Sequence, residues 1–312
     1  MRILFITANR VGDAVLSTGL LDHLIRAHPD AAITVVCGPE AAGVFARMPN
    51  RTRTIVLTKR RWNAHWLGLW AWAVLRRWDL VVDIRGSALG WLVRTRARAA
   101  MRARPGSKAA QLGAILSLDP PPLPVAWTAP EDRAVAARLL AGDRPVIALG
   151  PTANWAGKLW PAERFAALFA ALAAGALPRA IPAVLGGPGA AERATADRLL
   201  ALLPEAIDLV GALSLPEAAA CLARAAIYIG NDSGLMHLAA ATGVPTLGLF
   251  GPTSAAEYAP AGAHAAAVIA TDATMSGLDV ATALAAAEAL LSTSLVWLRE
   301  RRRDDPRGAP AS

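Results

Sequence analysis

Apolar residues along this chain fall into short runs, each followed by a polar turn and then by a stretch patterned at helical spacing. Ile3-Leu4-Phe5-Ile6, inside a strand predicted over 2–8, has no polar break and reads as buried on both faces. A loop over Asn9–Asp13 leads to a helix predicted over 14–28, with Val15, Leu16, Leu20, Leu21, Leu24 and Ile25 on its inner side. Further strands are predicted over 32–37, 55–57 and 80–84. Strands alternating with helices predict a parallel sheet, whose site opens at the carboxyl ends of its strands. A stiff segment, Asp119-Pro120-Pro121-Pro122-Leu123-Pro124, and a helix over 130–141 then approach a domain boundary near Gly142–Pro145.

The second half starts the pattern again. Strands are predicted over 145–149, 181–185, 209–210, 227–229, 244–250 and 268–270, with Pro161 opening one helix and another over 215–224. A terminal helix is predicted over 278–301, and the tail from Arg302 reads as disordered. The most informative stretch is Tyr228–Thr253. In it a strand ends in Gly230-Asn231-Asp232-Ser233-Gly234, a helix follows, and a second strand closes in Gly251-Pro252-Thr253. Small turn residues before a helix leave its first N–H groups free to bind an anion, which the helix dipole also favours. Asp232 or Ser233 could equally be a simple cap of that helix.

Composition narrows the class. With 54% hydrophobic residues and a mean hydropathy of +0.37, the chain of 312 residues suits two α/β units rather than a disordered protein. No run reaches the roughly 18 apolar residues of a spanning helix, and the first residues lack the apolar core of a signal peptide. The chain therefore reads as soluble and cytoplasmic, with a peripheral place on the inner face of the cytoplasmic membrane left open. Two cysteines, Cys37 and Cys221, make neither a disulfide framework nor a metal site. Charge is unevenly placed: up to Arg144 there are 21 basic and 10 acidic residues, and beyond it 11 basic and 14 acidic. A basic half and a near-neutral half predict different partners, the first of them anionic. No nucleic-acid-binding motif accompanies the charge.

Within the basic half, Trp62, Trp66 and Trp70 recur at helical spacing between arginines, and a core stripe is the favoured reading. Tryptophan with arginine also suits a surface meeting lipid headgroups. Arg94, Arg96, Arg98, Arg102, Arg104 and Lys108 form either a solvated face or an anion-binding strip. In the second half, Lys158 lies in a loop after a strand, and Gly186-Gly187-Pro188-Gly189 precedes Glu192. That glycine cluster lacks the spacing of a dinucleotide fingerprint, which disfavours a dehydrogenase. His237 lies one turn into the helix after Gly234.

Taken together, Val11-Gly12-Asp13, Thr152 with Lys158-Leu159-Trp160-Pro161, Gly186-Gly187 with Glu192, and Asn231-Asp232-Ser233-Gly234 with His237 and Phe250-Gly251-Pro252-Thr253 resemble glycosyltransferase family 9, the lipopolysaccharide heptosyltransferases. The resemblance runs in order over nearly the whole chain. It implies an α/β fold of the GT-B architecture, two Rossmann-like domains with parallel sheets facing across a cleft. Residues 1–144 would form the acceptor-binding domain, 145–301 the donor-binding domain and 302–312 a tail. It further implies an inverting transfer without metal or cofactor, from a nucleotide-sugar donor such as ADP-heptose to an anionic lipid-linked saccharide. Asp13 would be the general base and Lys158 the cation facing the leaving diphosphate. Thr152, Glu192, Asp232, Ser233, Gly234 and His237 would hold the donor, and Arg85, Arg94, Arg96 and Arg98 would lie on the acceptor side. Other readings remain: a nucleotide-sugar epimerase, a hexosyltransferase, or a non-catalytic saccharide- or lipid-binding protein on the same fold.

Overall fold

The computed structural model describes residues 1–59, 61–102 and 104–294, with the backbone alone at Asn63. The predicted continuation of the last helix over 295–301 and the tail over 302–312 lie outside the described residues. The chain builds two wholly parallel sheets, one from each half.

The first sheet contains β1 (Arg2–Ile6), β2 (Ala32–Cys37), β3 (Arg51–Val56), β4 (Arg77–Asp83) and β5 (Arg94–Ala100), in the order β3-β2-β1-β4-β5. The second contains β6 (Val146–Gly150), β7 (Ile181–Val184), β8 (Ile207–Asp208), β9 (Ile227–Asn231), β10 (Thr246–Phe250) and β11 (Ala265–Ile269), in the order β11-β10-β9-β6-β7-β8. Strand order reverses at β1/β4 and at β6/β9. A parallel sheet forms its ligand crevice at such a point, outside the carboxyl ends of the strands.

The connecting helices are α1 (Val11–Leu16), α2 (Thr18–Ala27), α3 (Ala64–Val74), α4 (Leu89–Leu92), α5 (Lys108–Gly113), α6 (Pro130–Leu139), α7 (Ala162–Ala174), α8 (Ala190–Leu202), α9 (Leu215–Leu222), α10 (Gly234–Ala241), α11 (Ala255–Tyr258) and α12 (Val280–Thr293). The inner faces of both sheets share one apolar cluster, in which Phe5, Val15 and Leu21 join Ala219, Tyr228 and Leu238. α6 packs on α9, and α1 on α10. The outer face of the second sheet is closed by α7, α8 and α12 around Phe165, Leu168 and Leu291. Its counterpart on the first sheet is smaller, with Leu69 and Ala73 of α3 and Trp78 over Ile6 and Val81.

Several predicted elements are corrected. The single helix over 14–28 is two, broken at Ser17, because Ser17 Oγ bonds Ala14 O at 2.7 Å and Thr18 Oγ1 bonds Val15 O at 2.7 Å. Hydroxyls that bond back to carbonyls in this way compete with the helix ladder. Asp13 consequently stands inside the first turn of α1 rather than in a loop, and Arg10 is the residue at the cap. The arginine strip begins with an unpredicted edge strand, β5, which pairs with β4. Alternating arginines hid its strand pattern, and charge on an edge strand deters pairing with another chain. Pro161 caps α7 from outside instead of opening it.

The tryptophan stripe is not a core stripe. Trp62 precedes α3 in a left-handed conformation (φ 57°) and is exposed, Trp70 is exposed, and α3 buries Leu69 and Ala73 instead.

Candidate functional site

In the second half, the crevice lies between the loops that follow β6 and β9. Two links hold these loops together. Asn231, fully buried, donates from Nδ2 to Pro151 O at 2.7 Å and accepts from the Trp160 N–H at 3.2 Å. Lys158 Nζ meets Asp232 Oδ2 at 2.6 Å, with the two side chains only 15% and 8% exposed. Asp232 is therefore not a helix cap but the partner of Lys158. Trp160 fixes the same loop from below, with Nε1 donating to Leu278 O at 2.8 Å and its ring edge-on to Phe165.

Ser233 occupies the cap position of α10, yet its hydroxyl makes no capping bond. Four buried polar atoms gather at this edge of the sheet without a hydrogen-bond partner among the described residues: Ser233 Oγ, Tyr228 Oη, His237 Nδ1 and Thr253 Oγ1. The Tyr228 and Ser233 hydroxyls are near enough to influence one another, without a well-formed bond. Burial raises the Tyr228 phenol, so it stays protonated. Gly150 and Gly230 make room for that phenol; a Cβ on Gly150 would lie 2.0 Å from its oxygen. Buried polar groups are ordinarily satisfied, so four orphans beside a helix N-terminus describe a cradle shaped for a polar ligand.

His237 is held down to about 4 by burial, with Asp232 and Asp13 opposing the shift and Lys158 adding to it. It is a neutral imidazole at neutral pH. Thr152 and Glu192 form the far wall. Glu192 Oε2 accepts from the Gly187 N–H and, at 3.4 Å, from the Thr152 hydroxyl.

Asp13 reaches this crevice from the first half. α1 and α10 cross at two glycines: a Cβ on Gly234 would lie 2.9 Å from Val11 Cβ, and one on Gly12 would lie 3.0 Å from His237 Cδ2. At Gly234 only hydrogen lets the helices approach so closely, and at Gly12 a larger group would crowd the His237 ring. Asp13 is thereby within electrostatic reach of His237 and also of Tyr258, at the end of α11, whose phenol both Asp13 and Asp232 raise after burial and Glu257. Asp13, Asp232, Lys158, Ser233, Gly234 and His237 thus belong to one crevice.

The arginines divide. Arg85 stands at the carboxyl edge of the first sheet, where its backbone N–H bonds Asp83 and its guanidinium donates to Asn9 Oδ1 at 3.1 Å. This link spans the β1/β4 switch point. Arg94 pairs in register with Arg77 at the opposite edge, six residues from Ala100 and roughly 20 Å along the strand. Arg94 and Arg96 are therefore not brought to the crevice. Arg98 instead lines a cavity of about 220 Å³ with Arg102, Arg104, Gln111 and Ser117. Tyr228, Thr253 and Tyr258 were not among the expected site residues: Thr253 closes one of the motifs that carry the resemblance, but Tyr228 and Tyr258 stand alone on a strand and at a helix end and carry no spacing signature.

Among the described residues, no group of three His, Cys, Asp or Glu side chains is gathered to hold a metal ion, and no helix is long and apolar enough to cross a membrane.

Comparison with known proteins gives the geometry its family. The family model described as glycosyltransferase family 9 (heptosyltransferase) matches residues 109–284. Lipopolysaccharide heptosyltransferase 1 of Pseudomonas aeruginosa is 29% identical over 302 residues, covering 81% of this chain and 79% of that one. Lipooligosaccharide heptosyltransferase 2 of Haemophilus influenzae is 34% identical over 127 residues, a match that spans 39% of this chain and only 35% of that protein. The structure of the Escherichia coli ADP-heptose lps heptosyltransferase II aligns with a TM-score of 0.72 at 22% identity, covering 94% of this chain and 99% of that one, which establishes the fold. With more than half its length matched by the family model, and the GT-B architecture shared, this chain is a glycosyltransferase and belongs to glycosyltransferase family 9.

Proposed function

We propose that this enzyme moves a heptose from ADP-heptose to the anionic core saccharide of a lipopolysaccharide acceptor, by an inverting displacement that needs no metal. The observation that carries the reading is the crossing of α1 on α10, which sets a carboxylate against a cradle of unpartnered polar groups. Relatives named for heptosyl transfer and for ADP-heptose support the choice of sugar and nucleotide.

Asp13 accepts the proton of the acceptor hydroxyl as that oxygen attacks C1 of the sugar. The bond from C1 to the diphosphate oxygen breaks on the opposite face, and the departing ADP carries the electron pair. Its new charge falls between the N-terminus of α10, the Ser233 and Thr152 hydroxyls and the Lys158 ammonium. Preorganised groups of this kind act most strongly where charge develops. Lys158 has one bond to Asp232 and further N–H groups to offer a phosphate. His237, neutral, can bond a phosphate oxygen without adding charge. Glu192 is placed to accept from the ribose or the base. The cavity lined by Arg98, Arg102 and Arg104 is suited to a carboxylate or phosphate of the acceptor.

The test begins with thermal shift against ADP, UDP, GDP and NAD, followed by transfer assays with and without a chelator. Stabilisation by ADP and chelator-insensitive transfer are expected. Stabilisation by NAD alone would overturn the reading, and preference for UDP would replace the donor.

A further inference from the structure

Tyr228 is wholly buried, and the transfer chemistry proposed above gives it no task. It shares a face of β9 with Gly230, two residues on, and Gly230 pairs in register with Gly150 of β6. The phenol extends across both glycines toward the carboxyl edge of the sheet. A Cβ on Gly230 would lie 2.3 Å from its oxygen. On Gly150 a Cβ would lie 3.1 Å from Cε2, 2.7 Å from Cζ and 2.0 Å from Oη, so the missing side chains make room chiefly for the oxygen. Burying that oxygen unpartnered costs more than burying the ring alone, which points to a use for it.

The neighbour at the edge is Ser233, whose hydroxyl is also buried and unpartnered among the described residues. A serine at the cap position ordinarily turns its oxygen onto the N–H of the second or third helical residue, here Leu235 or Met236. Ser233 does not. The omission matters, because a capping oxygen and a bound phosphate compete for the same orphan N–H groups.

We propose that Tyr228 is a positioning residue: its phenol donates to Ser233 Oγ, keeps that oxygen from capping α10, and so leaves the first N–H groups of the helix to the donor's diphosphate. The bond completes as the diphosphate orders the site. Ser233 still has its own O–H to give the phosphate, since a hydroxyl accepts and donates at once. Burial keeps the phenol protonated, so its proton is always there to give. The identity of the ligand rests on the function proposed above; the competition for the helix N–H groups does not.

The experiment is a double-mutant cycle of Tyr228→Phe and Ser233→Ala, read by calorimetry with ADP and with inorganic pyrophosphate, by melting temperature and by amide exchange. Tyr228→Phe should weaken both ligands about fivefold, the usual worth of a helix cap. Its melting temperature should not fall, because an unpartnered hydroxyl leaves the core and a cap is gained. In the free variant the Leu235 and Met236 amides should exchange more slowly than in the wild type, and adding Ser233→Ala should abolish that protection. In the Ser233→Ala background, Tyr228→Phe should weaken neither ligand further. Unchanged affinity in Tyr228→Phe overturns the proposal. So does an equal loss in both backgrounds, which would make the phenol a direct contact or a packing group. So does a lowered melting temperature with unaltered amide exchange. A coupled cycle for pyrophosphate in a protein that ignores ADP and transfers nothing would leave the positioning standing and sink the donor reading. An uncoupled cycle in a protein that binds ADP and transfers would do the reverse.

Discussion

Each sheet reverses its strand order once, and the two reversals are bridged by different chemistry. In the first half the bridge is Arg85 on the Asn9 amide oxygen, an exposed hydrogen bond at 3.1 Å. In the second it is the Lys158–Asp232 ion pair at 2.6 Å, almost wholly buried. The first half leaves its crevice open, with Asp13 at its lip. The second shuts charged and polar groups away from water before any ligand arrives. In the proposed reaction a base must meet a varied, bulky acceptor and release its proton, whereas a diphosphate cradle gains from dry, preset donors. On that reading the halves divide the work by solvation as much as by residue type.

The sharpest way to break this comparison is to neutralise the carboxylate on the open side. Asp13→Asn should lower transfer by about 10²–10⁴-fold, the usual worth of a positioned base. Affinity for ADP should stay nearly constant, measured by calorimetry. Lost nucleotide affinity with retained turnover would move Asp13 into the donor cradle and abolish the contrast.

On the closed side, Lys158→Ala leaves the Asp232 carboxylate buried without its cation, which destabilises by about 3–5 kcal/mol. Denaturant melts would show it, alongside a large loss of transfer. Lys158→Met combined with Asp232→Leu removes both charges and should recover most of the stability but none of the activity. An active double variant would mean that the cation serves the fold and not the leaving group.

His237 tests how dry the cradle is. Its ordinary value of 6.5 falls to about 4 in the fold, chiefly through burial. Between those two values the unfolded chain takes up a proton that the folded site refuses. Stability should hold above pH 6.5 and fall as the pH drops toward 4, by up to roughly 3 kcal/mol from this group. His237→Gln should flatten that part of the profile. A wild-type profile with no loss across the interval would mean that the imidazole is solvated.

These contrasts were unequally legible in the sequence. The parallel sheets were readable because runs such as Ile3–Ile6 and Tyr228–Ile229 are buried on both faces, leaving no polar alternation to confuse them. The crevice residues at Gly230–Gly234 were readable because a cluster of small turn residues between a strand and a helix marks a sheet's carboxyl edge. One edge strand was not: β5 alternates arginine with small residues and carries no apolar face. The tryptophans misled because helical spacing says which residues share a face, not whether that face is covered. Only the fold shows that Trp62 stands outside α3 and that Asp232 answers Lys158 in place of capping α10.

The smallest expected effect lies where the halves touch. Gly234 begins α10, where a methyl group would meet Val11 Cβ at 2.9 Å and the Gly12 backbone nitrogen at 3.2 Å. Backbone cannot yield as a side chain can, so Gly234→Ala should cost about 1–2 kcal/mol. Gly12 lies within α1, and a methyl group there crowds the edge of the His237 ring at 3.0 Å while meeting the Gly234 backbone at an ordinary 3.6 Å. The roughly 1 kcal/mol by which alanine suits a helix interior better than glycine opposes that crowding. Gly12→Ala should therefore leave stability nearly unchanged while it displaces the imidazole, seen as weaker ADP binding at unaltered melting temperature. If both substitutions proved silent in stability, binding and turnover, the two helices would have room to spare, and their crossing could not be what holds Asp13 against the cradle.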